Sequence, residues 1–274
     1  MNNFTVRTLS GAVYAAVVIG SILLGKVAFF ALFAFISSYT LFEFYRLCSR
    51  GETKPQFVLG IITSLSVYVV TFLYNQNIID SKFFFILIPL LIMIPIVEML
   101  QDRSHNILNI VYTIFGIAYI SIPFSFLNLI LSPVKQTPDL YKPEIMIGLF
   151  VIIWASDAGA YLFGRMLGKH KLIPKISPNK TWEGAIGGTL FAILISTIFF
   201  SFFDYFNTIN VIGMTLITVV AGTFGDLTES LIKRFFDVKD SGKIMPGHGG
   251  LFDRFDSLLF AAPIYYIFIS LFLN

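Results

Sequence analysis

Nine stretches of roughly 17–25 mainly apolar residues follow one another along this chain, the length a helix needs to cross a hydrocarbon core about 30 Å thick. They cover approximately residues 9–25, 27–45, 57–74, 83–100, 107–131, 145–163, 184–203, 209–232 and 251–273. Read as one helix, residues 9–45 would be roughly 55 Å long at 1.5 Å per residue, so Gly25 and Lys26 must turn the chain into a hairpin of two spans. With 56% of 274 residues hydrophobic and 13% charged, a compact soluble chain could not cover its outside with groups that water accepts. Disorder, a collagen-like fibre, a disulfide scaffold and a free nucleic-acid binder are excluded as well. The lone Cys48 permits no intrachain disulfide. The expected fold is all-α: a polytopic integral membrane protein with about nine transmembrane helices. It is read as a single domain over 1–274, with N-terminal helices in 1–140 and the candidate site in 141–274.

Arg7 ahead of an apolar stretch resembles a signal sequence, but a second span lies directly behind it and no small-x-small cleavage site stands out, so a membrane helix is expected. Pro89, Pro95, Pro123 and Pro263 fall inside spans and are read as kinks, since neighbouring helices can satisfy the freed carbonyls. Of the 19 Lys and Arg residues, 15 lie at the N-terminus and in the even-numbered connections, residues at the span ends included. That asymmetry orients the N-terminus and the connections near 164–183 and 233–250 toward the cytoplasm. Of the 35 charged residues, 18 lie in the two windows 157–183 and 226–256, so function is sought there.

Four constellations stand out. Asp157 sits inside the sixth span, where an ionised carboxylate costs about 2.5–3.5 kcal/mol; a functional acid and a structural partner for a lysine are both open. Asp157, Tyr161 and Arg165 share one helix face, and Ser156, Ala160 and Gly164 form a small-residue ridge for close packing. In the eighth span, Asp226, Glu229, Ser230, Lys233 and Asp237 form one polar stripe. An internal Glu229–Lys233 pair accounts for part of it, yet leaves Asp226 unexplained, and the mixture suits a metal–phosphate site.

The third constellation is the glycine-rich run after that span, with Gly242, Gly247, Gly249 and Gly250, whose backbone can approach a phosphate or simply turn. Asp253, Arg254 and Asp256 follow in the first turns of the last helix, where Asp256 alone could serve the helix dipole. Asp253 facing Asp226 is the sharper expectation, because a hard cation takes one or two carboxylates plus substrate phosphates. Fourth, Lys169, Lys171, Lys175 and Lys180 precede Thr181, Trp182 and Glu183, the last at a helix start that favours a carboxylate in any case. His248, between glycines, is a phosphate donor or a loop cap. The absence of cysteine companions argues against zinc, and neither a Walker loop nor a serine-hydrolase elbow occurs.

The run SLIKRFFDVKDSGKIMPGHGGLFDRFD at 230–256 closely resembles the signature of the phosphatidate cytidylyltransferases, with its S-x-x-K-R, K-D and H-G-G-x-x-D-R-x-D elements at their spacing. Met245 stands where Leu, Ile or Phe is commoner. KTWEG and the 157–161 stretch resemble the same family, whereas the first 140 residues add little. The resemblance implies transfer of CMP from CTP to phosphatidate, magnesium held by Asp226 and Asp253, a second, monovalent cation with potassium the candidate, and homodimers in a bacterial cell membrane with no nucleic-acid partner. In that reading Lys233, Arg234, Lys239 and His248 join the two aspartates in catalysis. Asp157, Lys180, Thr181, Glu183, Ser230, Gly249, Gly250, Arg254 and Asp256 bind substrate. The physical demand is to hold two polyanions together, since the phosphate of phosphatidate is already ionised near neutral pH and needs no strong base. A CTP-dependent lipid-alcohol kinase is the near alternative, with CDP rather than pyrophosphate as its product. A transporter is disfavoured because neither an inverted repeat nor paired broken helices is evident. A structural scaffold is disfavoured by the cost of the buried acids.

Overall fold

The computed structural model describes residues 3–101, 107–132, 141–245, 247 and 249–272. The helices are α1 (Asn3–Leu23), α2 (Lys26–Cys48), α3 (Phe57–Asn75), α4 (Leu87–Leu100, entered by a 3-10 turn at Ser81–Ile86), α5 (Ile107–Gly116), α6 (Ile122–Leu131), α7 (Pro143–Leu167), α8 (Trp182–Phe200), α9 (Thr208–Phe235) and α10 (Phe252–Phe272). Among the described residues, eight helical stretches are long and apolar enough to cross a membrane, counting α5 and α6 as one; α1 adds a shorter apolar stretch at Thr8–Leu23. The protein is an all-α polytopic membrane protein. Gly25 turns the chain between α1 and α2 with φ 107°, a conformation glycine adopts without steric cost.

The prolines do not end the spans in which they fall. Pro95 and Pro263 lie within continuous helices. A π turn at Ile117–Ser121 joins α5 to α6 just ahead of Pro123, widening the helix where the proline ring needs room. One feature is additional to the expected all-helical pattern: a hairpin of β1 (Lys171–Ile173) and β2 (Ser177–Thr181), antiparallel, with Lys171 opposite Thr181 and Ile173 opposite Ser177. Strands this short carry no readable periodicity. A second difference concerns Asp237, expected on the polar stripe of the eighth span. The helix ends at Phe235, and Asp237 takes a positive φ of 51° beyond it, the left-handed conformation that commonly ends a helix.

The chain gathers into two compact units, Met1–Tyr141 with Phe235–Phe255, and Lys142–Arg234 with Asp256–Asn274. The first has an aromatic core in which Phe255 packs edge-on to Phe33 at 5.9 Å and against Phe124 at 5.6 Å. Tyr45, fully buried, donates to the Thr113 carbonyl at 2.8 Å. Its ring lies where a side chain on Gly60 or Gly116 would collide, which is why those helix positions are bare. Several polar groups inside this unit pair with one another: the Ser121 hydroxyl donates to Ser64 at 2.7 Å, and the Glu98 carboxylate accepts from Asn109 at 2.7 Å and Gln56 at 3.1 Å.

In the second unit α7 and α8 meet along small residues. A side chain at Gly188 would press on the Ser156 carbonyl and Ala160, and one at Gly184 on the Ala160 carbonyl. The ridge of Ser156, Ala160 and Gly164 expected from the sequence is thus the seam on which α8 packs. Tyr265 of α10 donates to the Ile145 carbonyl of α7 at 2.7 Å, and Ser196 and Thr215 join α8 to α9 at 2.7 Å.

Candidate active site

In the second unit, α9 brings Asp226 and Glu229 to one face, and α10 brings Asp256 against them. Among the described residues, these three acids each offer a carboxylate oxygen, all within 4.8 Å of one another. The approach depends on Gly225: a Cβ there would lie 2.5 Å from the Asp256 carbonyl oxygen. Two ammonium groups reach the same place. Lys180, at the end of β2, contacts Asp226 at 2.5 Å, and Lys233 contacts Glu229 at 2.6 Å. Glu229 is fully buried, whereas the Lys180 and Asp226 side chains are each 28% exposed. Ser230 donates to Asp226 at 3.4 Å, a long contact, and the Ser257 amide donates to Asp256 at 2.7 Å. Asp157 of α7 and Lys233 lie within electrostatic range of Asp256.

Three carboxylates thus meet two ammoniums. All the ligand-capable atoms are hard oxygens, the donor set that magnesium or calcium takes. Net negative charge inside apolar helices is costly unless a cation joins it, so the donor set and the charge balance both fit a divalent ion. A phosphate brought to that ion would find Lys180 and Lys233 beside it.

Asp253, paired with Asp226 in the sequence reading, belongs to the first unit. Both its oxygens accept hydrogen bonds: Oδ2 from the Ser241 amide and hydroxyl, each at 2.9 Å, and from the Gly250 amide at 2.7 Å, and Oδ1 from the Ser241 amide at 3.2 Å. It therefore gathers both ends of the glycine-rich loop. Gly249 has φ 88°, and Met245 and Gly249 bridge across the loop, the Met245 amide donating at 3.0 Å. Gly247 also has a positive φ, 75°. Lys239 and Arg254 are exposed. His248 lies outside the described residues.

The other expected residues are placed as follows. Thr181 caps α8, its hydroxyl accepting from the Gly184 amide at 3.1 Å. Glu183, in the first turn of α8, accepts from the Lys169 amide at 3.1 Å and the His170 amide at 3.2 Å, and pairs with His170 Nδ1 at 2.6 Å. Arg234 is exposed near the end of α9. Arg165 donates to Tyr161 at 3.3 Å, as their shared face implies.

The sequence reading passed over Glu43. This α2 residue is 2% exposed, and its Oε2 accepts from the Phe252 amide at 2.9 Å and faces the Ser241 hydroxyl at 3.3 Å. The signal was available, since an acid inside a span is functional or paired by default. The same rule picks out Glu98, which the structure pairs with amides. Asp256 was read as a substrate or dipole residue, and its company with Asp226 depended on where α9 and α10 cross.

These features define an integral membrane protein with hard oxygen donors and ammonium groups clustered within its helices. Residues 5–272 match the model for the Cytidylyltransferase family, and the chain belongs to that family. It is 34% identical over 269 residues to the phosphatidate cytidylyltransferase of Bacillus subtilis (strain 168), covering 97% of each chain. To the phosphatidate cytidylyltransferase of Staphylococcus aureus (strain COL) it is 35% identical over 264 residues, 94% of this chain and 96% of that one. The Staphylococcus saprophyticus protein of that name is 32% identical over 264 residues, with the same coverage.

Proposed function

We propose that this protein is a phosphatidate cytidylyltransferase, working in a bacterial membrane with its site open to the cytoplasm. An oxygen of the phosphatidate phosphate attacks the α-phosphorus of CTP, the bond to the β-phosphate oxygen breaks, and CDP-diacylglycerol and pyrophosphate form. The observation that carries this reading is the identity of 32–35% with enzymes of that name over at least 94% of the chain. The cytoplasmic orientation rests on the Lys and Arg asymmetry between connections.

In this proposal Asp226 and Asp256, with Glu229 behind them, hold magnesium. A bound divalent ion would supply charge neutralisation between the two polyanions. Lys180 stands on the exposed side of Asp226, placed to meet a phosphate arriving from water. Lys233 pairs with Glu229 and orients the buried carboxylate. Asp253 shapes the glycine-rich loop rather than supplying a ligand. Because the attacking phosphate is already ionised near neutral pH, no side chain here has to remove a proton, and the task is positioning and electrostatics. A monovalent second cation and a homodimer remain part of the proposal through the family resemblance alone.

The test is detergent-purified protein with magnesium, labelled CTP and phosphatidate. CDP-diacylglycerol and pyrophosphate are expected; CDP with a phosphorylated lipid alcohol would instead identify a kinase.

A further inference from the structure

We infer that Glu43 is a positioning residue for the reaction, holding the loop between Ser241 and Phe252 in its working shape from inside α2. The inference rests on the cytidylyl-transfer reading for its kinetic consequence, not for its geometry.

The geometry lies within the first unit. Glu43 Oε2 accepts the amide of Phe252, the first residue of α10, at 2.9 Å. The Ser241 hydroxyl, 3.3 Å from Glu43 Oε2 and 2.9 Å from Asp253 Oδ2, has one proton for the two acids and binds the nearer. Glu43 therefore depends on Phe252 for its principal partner, and its Oε1 is buried with no hydrogen bond. That oxygen is pressed against backbone. A Cβ on Gly242 would collide with Glu43 Oε1, and one on Gly250 would collide with the Ser241 hydroxyl and with the Glu43 carboxylate.

Two of the loop's glycines are thus explained by Glu43 and Ser241 rather than by a phosphate. Gly242 lacks a positive φ, so nothing in its own backbone demands glycine; the carboxylate does. A buried acid that forgoes hydrogen bonds costs stability, and what it holds here is the loop's closing end and the start of α10, the helix on which Asp256 follows one turn later. Phe44 and Tyr119, edge-on to Phe252 at 6.0 and 6.1 Å, pack the same point from the apolar side.

The experiment compares Glu43→Ala, Glu43→Gln, Gly242→Ala and the double variant Glu43→Ala/Gly242→Ala in purified full-length protein. It reads kcat, KM for each substrate, thermal stability in detergent and peptide-level hydrogen exchange over 241–252. Glu43→Ala is expected to lower kcat about 100-fold, the scale of a small misplacement far from the chemistry, with KM for CTP moved less and exchange in 241–252 raised. Glu43→Gln keeps an oxygen for the Phe252 amide and should recover to within about 10-fold of wild type. Gly242→Ala should be as damaging as Glu43→Ala, and the double variant little worse than Glu43→Ala alone, because the carboxylate is gone and the nearest atom left to the added methyl is the Gly250 Cα, at 3.2 Å. Unchanged exchange over 241–252 in Glu43→Ala, wild-type kcat in that variant, or multiplying defects in the double variant would each overturn the inference. If the wild type makes no CDP-diacylglycerol, the functional reading fails, and the exchange comparison still decides whether Glu43 holds the loop.

Discussion

Two groups of acids lie in the two units of this protein, and their partners separate them. In the first unit, Glu43 and Asp253 accept mainly backbone amides and one serine hydroxyl, all from the loop between Ser241 and Phe252. In the second, Asp226, Glu229 and Asp256 turn their oxygens toward one another, with Lys180 and Lys233 as cations at close range. Carboxylates answered by fixed amides, Asp253 through both oxygens and Glu43 through one, hold structure. Carboxylates facing one another repel, and they sit together when a cation or a shared proton offsets the charge. The first group builds a shape; the second has the hard-oxygen donor set on which the proposed magnesium site rests.

The largest expected effect breaks the comparison if it fails. Asp226→Asn and Asp256→Asn should each lower turnover at least about 10³-fold, the scale of removing one electrostatic element from a transition state. The melting temperature should hold or rise, because a repelling charge has gone. Chelating magnesium should stop wild-type turnover equally and reversibly. Normal turnover in either variant would move the ion elsewhere. Hydrogen exchange in the 241–252 loop should stay as in wild type, since neither residue anchors it.

Asp253→Asn should behave oppositely. An amide nitrogen placed before the Ser241 or Gly250 amide cannot accept, so one or two loop hydrogen bonds are lost. Turnover is expected to fall about 100-fold through misplacement, with raised loop exchange and an unchanged magnesium requirement. An altered apparent affinity for magnesium, with the loop still protected, would instead make Asp253 a ligand and merge the two groups.

Lys180→Met sharpens the second group. Because the Lys180 and Asp226 side chains are each 28% exposed, the pair adds little to stability, and the lysine matters for the phosphate it meets. About a 10-fold loss of kcat/KM for CTP is expected, with the melting temperature within a degree or two. Lower stability without a kinetic change would make Lys180 a structural partner.

Much of this was legible in the sequence. Nine apolar stretches gave the helices to within a few residues, because in lipid the backbone has no option but to satisfy itself along the helix. The Gly25 turn, the continuity of helices through Pro95 and Pro263 and the small-residue seam of α7 follow from local chemistry. The hairpin at 171–181 did not show, since its strands are too short to have a pattern. The pairing of acids was beyond reach for another reason. Asp253 and Asp256 are three residues apart on one helix, and helical spacing cannot say which of two neighbouring carboxylates turns to the loop and which to α9. Glu43 was readable as an anomaly, a lone acid in an apolar span, but its partner is 209 residues away in the chain.

The smallest effects test how closely α9 and α10 must approach. Gly222 and Gly225 both lie on the α9 face toward α10, and by helix propensity alone alanine would favour either position by about 1 kcal/mol. Their surroundings differ. At Gly225 a Cβ would sit 2.5 Å from the Asp256 carbonyl oxygen, a backbone atom that cannot swing aside, whereas at Gly222 the nearest atom is the Ser257 Cβ at 3.5 Å, an ordinary contact. Gly225→Ala must therefore push the two helices apart at the point where Asp226 and Asp256 meet. Turnover should fall about 10-fold and the magnesium requirement should rise, as a cation held by two carboxylates loses the reach of one. Gly222→Ala, one turn away on the same face, should leave both unchanged and keep or slightly raise the melting temperature. Equal behaviour of the two variants, in kinetics and in magnesium dependence, would mean that the spacing of these helices does not set the acid cluster.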